Sequence, residues 1–121
     1  MKSCLIVDDS SVVRKVARRI LEDLKFRIAE AANGQLAMDE CVREMPDVIL
    51  LDWNMPVMNG LEFLGKLRAH SGGDKPVVVF CTTENDIGHI QKAIAAGANE
   101  YIMKPFDSEI IQSKFAQAGL V

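Results

Sequence analysis

Four short apolar runs punctuate the chain, over residues 4–7, 48–51, 77–80 and 101–103. Three of them are rich in valine, isoleucine or leucine, and none alternates with polar positions. Unbroken runs of this kind suit strands covered on both faces, as in a parallel sheet between two helix layers. A fifth, weaker candidate spans 26–30, and its mixed polarity suits a sheet edge.

The stretches between the runs have helical spacing. Over 10–24, Val13, Val16, Ala17, Ile20, Leu21 and Leu24 form one broad apolar stripe, and Ser10 or Ser11 can cap its start. Asn33 and Gly34 open a second helix, which should stop before Pro46 because proline disfavours helical conformation in the residue ahead of it. A third helix is predicted over 60–69, ended by Ser71, Gly72 and Gly73. A fourth is predicted over 84–96 with Gly97 as its C-cap, and a fifth over 107–118 capped by Asp107 or Ser108. Strand and helix thus alternate five times. The expected class is α/β: one doubly wound, five-stranded parallel sheet with right-handed crossovers and helices on both faces. No repeat, linker or low-complexity tract divides residues 1–121, so one domain is expected, with no room for an output domain after 118.

Composition narrows the function classes. Apolar residues are 49% and charged residues 26% of 121, ordinary for a soluble globular protein and too apolar for a disordered one. The net charge of −3 argues against a nucleic-acid or anionic-membrane binder. No apolar run approaches a membrane span, and the first one meets Asp8 and Asp9 at once, unlike a signal peptide. Cys4, Cys41 and Cys81 are odd in number and far apart, which points away from a disulfide framework and towards a reducing cytoplasm.

In such sheets ligands bind beyond the carboxyl ends of the strands. The residues there are Asp8 and Asp9, then Asp52, then Thr82, Thr83 and Glu84, then Lys104 and Pro105. Crowded aspartates repel one another unless a cation joins them, and a hard dication with oxygen ligands, best Mg2+, answers that problem. Lys104 could offset a phosphoryl charge and Thr82 could donate a hydrogen bond to it. Metal, fixed positive charge, donor and nucleophile are the equipment of phosphoryl transfer. Asp52 lies between the acidic pair and the Thr82/Lys104 pair, which makes it the expected nucleophile. An isolated aspartate at a strand end is usually a cap or turn former, so the reading rests on the whole set. There is no GxxxxGK[ST] loop, no GxGxxG after the first strand, no GxSxG and no HExxH.

Val7-Asp8-Asp9-Ser10, the segment from Leu51 to Gly60, Thr82-Thr83 and Lys104-Pro105-Phe106 together resemble the receiver domains of two-component response regulators, over essentially the whole chain. Asp52-Trp53-Asn54-Met55-Pro56 is especially similar to CheY-type chemotaxis regulators. The resemblance implies the flavodoxin-like strand order 2-1-3-4-5. It implies that Asp52 accepts a phosphoryl group from a histidine kinase. It also implies that Asp9, Asp52 and the Asn54 carbonyl hold Mg2+ directly, and Asp8 through water. Lys104 would pair with the phosphoryl group and follow a cis Lys104–Pro105 bond. Thr82 would move towards it, and Tyr101 would swing inward. The output would then be a surface made by the fourth helix, fifth strand and fifth helix.

The chain also departs from the family pattern. Asn59 stands where aspartate is usual, a turn position where little effect is expected. Thr83 is bulkier than the usual alanine or glycine and is expected to crowd the site. Asn54 and Glu84 flank it with polar side chains, as in CheY-type proteins with short-lived phosphorylation. Arg14, Lys15, Arg18 and Arg19 are either a solvated helix face or a dock for the kinase or a phosphotransfer protein. Ile87, Ile90 and Ile94 are either core or a partly exposed partner surface. His70 and His89 are expected at the surface, Cys81 as a buried filler, and Trp53 as a reporter beside the nucleophile.

The function expected is therefore a monomeric, stand-alone response regulator acting through protein contacts, a switch that catalyses only its own phosphorylation and dephosphorylation. The flagellar motor is one candidate target, and a phosphorelay intermediate or phosphate sink is the alternative. A haloacid-dehalogenase-type phosphatase uses similar residues, but carries its nucleophile on the first strand and its acidic pair last.

Overall fold

The computed structural model describes residues 1–83 and 87–121. The elements run β1 (Ser3–Val7), α1 (Ser11–Asp23), β2 (Arg27–Ala31), α2 (Gly34–Arg43), β3 (Val48–Asp52), α3 (Gly60–Ala69), β4 (Val77–Thr82), α4 (Ile87–Ala95), β5 (Glu100–Met103) and α5 (Ser108–Gln117). The strands form one sheet in the order β2-β1-β3-β4-β5, and every pairing is parallel. The expected class and strand order are borne out. The mixed run near 26–30 is indeed an edge, β2, while β3 is central and buried along its whole length.

Side chains alternate across the sheet and build two cores. Leu5, Val7, Ile49, Leu51, Val78 and Phe80 face α2, α3 and α4, where Ala37, Cys41, Phe63, Leu64, Leu67 and Ala93 complete the layer. Cys4, Ile6, Val48, Leu50, Val79 and Cys81 face α1 and α5, where they meet Ala17, Leu21, Ile111 and Phe115. A parallel sheet must be covered this way because both of its faces are apolar.

The helices start where side chains can take up free backbone donors. Ser10 caps α1 through Val13, Asn33 caps α2 through Leu36, and Asp107 caps α5 through Ile110. Asn59 is more than the turn residue expected. Its side chain accepts from the Glu62 N–H while the Glu62 carboxylate accepts from the Asn59 N–H, a capping box at the head of α3. Gly97 follows α4 with φ 115°, and a Cβ there would run into Arg68. The Lys104–Pro105 peptide is cis, as the resemblance implied.

Candidate functional site

Four strands bring chemistry to one rim of the sheet. Asp8 and Asp9 follow β1, Asp52 ends β3, Thr82 ends β4 and Lys104 follows β5. Asp8, Asp9 and Asp52 can each turn a carboxylate oxygen to within 4.8 Å of the others. Asp8 and Asp52 are buried while Asp9 is exposed, so the cluster is open on one side. The Lys104 ammonium donates to Asp8 Oδ2 at 2.6 Å and to Asp52 Oδ1 at 2.9 Å. The Ser10 N–H donates to Asp8 Oδ1 at 2.9 Å.

Local backbone holds the nucleophile candidate in place. The Trp53 N–H donates to the Cys81 carbonyl at 3.1 Å, and the Gly60 N–H donates to the Trp53 carbonyl at 2.9 Å. A Cβ on Gly60 would lie 2.2 Å from the Asp52 carbonyl oxygen, so only glycine lets the loop after β3 close back on the strand. At β5, the Lys104 N–H donates to the Thr82 carbonyl at 2.9 Å and ties the two strand ends together.

The electrostatics are unbalanced. Burial raises the Asp52 pKa above its ordinary value; the Lys104 hydrogen bond pulls it back, and the charges of Asp8 and Asp9 push it up again. Burial works against the Lys104 ammonium, but its hydrogen bonds to Asp8 and Asp52 outweigh that and hold its pKa above the usual lysine value. One ammonium faces three carboxylates, all with hard oxygen donors. That donor set fits a small hard dication such as Mg2+, which takes a few carboxylates and keeps water on its remaining positions.

The other residues singled out in the sequence fall in separate places. Asn54 and Thr83 are exposed beside the cluster, and Glu84 lies outside the described residues. Thr83 and Lys104 border a groove of about 440 Å³ lined by Val12, Val13, Val16, Pro105 and Phe106. Tyr101 is half-buried, and the Lys114 ammonium lies 4.7 Å from the centre of its ring. Ile87 and Ile94 are exposed and Ile90 half-buried, so the core reading of that stripe fails; Ala93 is the residue of α4 that faces the core. His89 is half-buried, its ring 4.5 Å from that of Trp53, which is not the surface position expected. His70 is exposed as expected. Cys81 is the buried filler expected, and burial pushes its thiol pKa far up. Lys15 is exposed, whereas Arg14 and Arg18 reach across to Glu30 on β2 at 3.0 Å and 2.7 Å. Sequence reasoning missed Glu30 as their partner and missed Lys114 above Tyr101.

Residues 4–116 match the response regulator receiver domain family. This chain belongs to that family. A CheY homolog of Campylobacter jejuni, a chemotaxis protein, is 38% identical over 112 residues, covering 91% of this chain and 86% of that one. The solved structure of the Vibrio cholerae chemotaxis response regulator CheY4 superposes with a TM-score of 0.91 at 31% identity, covering 100% of this receiver and 99% of that chain. The receiver domain of a Pseudomonas aeruginosa sensor histidine kinase, solved with a magnesium ion coordinated in its active site cleft, superposes with a TM-score of 0.85 at 28% identity, covering 93% of this receiver and 92% of that chain. A receiver of this type is a signalling switch rather than a catalytic enzyme, which sets the phosphatase reading aside. No helix of the described residues is long and apolar enough to cross a membrane.

Proposed function

We propose that this receiver takes a phosphoryl group onto Asp52 from the phosphohistidine of a histidine kinase or phosphotransfer protein, and that the change alters protein contacts made by α4, β5 and α5. The observation that carries the reading is the Lys104 ammonium bridging Asp8 and Asp52 at the carboxyl rim of the sheet. In the transfer the donor's P–N bond breaks as a P–O bond forms to an Asp52 carboxylate oxygen, and the histidine nitrogen keeps the electron pair. Asp8, Asp9, Asp52 and the Asn54 carbonyl would hold Mg2+, which supplies charge neutralisation for the phosphoryl oxygens.

The chain's own residues do the rest. Asp52 is the nucleophile. Lys104, already at hydrogen-bond distance from Asp52, stays beside the new phosphoryl oxygens as fixed positive charge. The Thr82 hydroxyl offers a donor from the neighbouring strand end. Phosphorylation turns the Asp52 carboxylate into an acyl phosphate and brings new anionic oxygens to Lys104, so the Lys104–Asp8–Asp52 arrangement must rebuild at the ends of β4 and β5. Tyr101 on β5, under the Lys114 ammonium, is the switch residue of this reading.

A protein bringing phosphohistidine must touch the surface that borders Asp52. The apolar groove of Val12, Val16, Pro105 and Phe106 opens beside Lys104 and fits a helix of that donor, and the exposed Lys15 of α1 adds positive charge for the same docking. The exposed Ile94 and half-buried Ile90 of α4 serve the downstream target, with chemotaxis and the flagellar motor the pathway favoured by the CheY relatives. Incubation with acetyl phosphate and Mg2+, followed by intact-protein mass spectrometry, tests the central claim. One phosphoryl adduct should form, and Asp52→Asn should not form it. An adduct of equal yield on Asp52→Asn would overturn the assignment.

A further inference from the structure

The Asp8 peptide is gripped at both ends. Its N–H donates to the Ala31 carbonyl of β2 at 3.1 Å, and its own carbonyl accepts from Arg14 Nη1 at 2.7 Å. Arg14 is itself aimed. Its Nε donates to Glu30 Oε1 at 3.0 Å, while the other oxygen of Glu30 accepts from Arg18 Nε at 2.7 Å. Glu30 and Ala31 are neighbours on the edge strand, so one short piece of β2 holds Asp8 directly and, through Arg14, a second time. The planar fork of a guanidinium can serve two acceptors at fixed angles, which an ammonium on a flexible stem cannot do.

We propose that Arg14 is a positioning residue for the cation site: held by Glu30, it fixes the Asp8 carbonyl and with it the aim of the Asp8 and Asp9 carboxylates. The inference rests on the reading above that those carboxylates hold Mg2+. It differs in sign from any simple charge effect. A positive charge beside a cation site repels the cation, so deleting it should by Coulomb's law strengthen Mg2+ binding. Loss of an outer hydrogen bond that orients a metal-binding residue, here through its backbone carbonyl, weakens binding instead, by about tenfold or more.

Calorimetric titration of Mg2+ at fixed ionic strength separates the two. Arg14→Met is expected to bind Mg2+ about tenfold more weakly than the wild-type chain. Arg14→Lys keeps the charge and loses the fork, and is also expected to bind more weakly. Arg27→Met removes the same charge from the same edge of the molecule, where Arg27 pairs with Glu44, and should match the wild type or bind slightly tighter. Melting curves in EDTA establish that each variant is folded at the titration temperature; if Arg14→Met is not, Arg14→Lys carries the prediction. Unchanged or tighter Mg2+ binding in the folded Arg14 variants would overturn the assignment while leaving the reading of a Mg2+ site intact. A wild-type chain that takes up no Mg2+ would overturn both.

Discussion

The Lys104 ammonium stands 2.9 Å from the Asp52 carboxylate, and Asp8 holds the same ammonium at 2.6 Å from its other side. Lys104 is therefore a placeholder for positive charge within an acidic cluster. Lys104→Met leaves buried carboxylates without their partner and should cost about 2–3 kcal/mol of stability in EDTA. Millimolar Mg2+ should return much of that loss, since a ligand of the folded state stabilises it. Thermal melts of wild type and variant, with and without Mg2+, check both statements. A variant as stable as the wild type in EDTA would refute the charge role.

The Asp52 pKa is raised, first by burial. A carboxyl that holds its proton more tightly when folded makes the fold lose stability as pH climbs from the ordinary carboxylate value through the raised one. At neutral pH the ionised Asp52 thus destabilises the metal-free protein. Asp52→Asn should melt higher than wild type at pH 7 in EDTA, and the gap should close as pH falls below the ordinary carboxylate value, where the carboxyl is protonated in both the folded and the unfolded chain. It should also gain less from Mg2+. Equal melting temperatures across that pH range would contradict the electrostatic account.

Much of this architecture could be read from local spacing. The third helix, Gly60–Ala69, has the bounds expected, and the caps Ser10, Asn33 and Asp107 lie where short polar side chains precede apolar stripes. The site residues were visible for a related reason, because a parallel sheet gathers residues that follow successive strands. What was not legible depends on distant pairs or on which face of a helix turns inward. Arg14 meets Glu30 across 16 residues, and no local pattern announces it. Ile87, Ile90 and Ile94 share one stripe of α4, yet periodicity alone does not say that the small Ala93 faces the sheet instead. His89 rests on Trp53 across 36 residues of sequence, a tertiary fact.

Arg68 is a second such distant link. From the last turn of α3 its guanidinium donates to the Gly97 carbonyl at 2.7 Å, to the Gly73 and Pro76 carbonyls at 2.9 Å, and to Asn99 Oδ1 at 3.1 Å. Asn99 Oδ1 also accepts from the Val78 N–H at 2.8 Å. Arg68→Met should cost about 2 kcal/mol by stranding these acceptors. Arg68→Lys should recover less than half, because one ammonium cannot reach the same carbonyls. Urea denaturation measures both, and a neutral Arg68→Met would refute the link.

Val57 occupies left-handed backbone at φ 69° and is largely exposed. A β-branched residue there is strained by about 1–2 kcal/mol relative to glycine. Val57→Gly should stabilise the fold by about 0.5–1 kcal/mol after the extra chain entropy of glycine is subtracted. A lower melting temperature for the variant would show that the valine side chain makes a contact worth more than the strain.

The sheet that positions Asp52 also partitions the molecule. Contacts with α1 and α5 load one packing layer, and contacts with α2, α3 and α4 load the other; β3 is the spine common to both. The face made by α4, β5 and α5 therefore draws one helix from each layer, so a change packed into either layer reaches it.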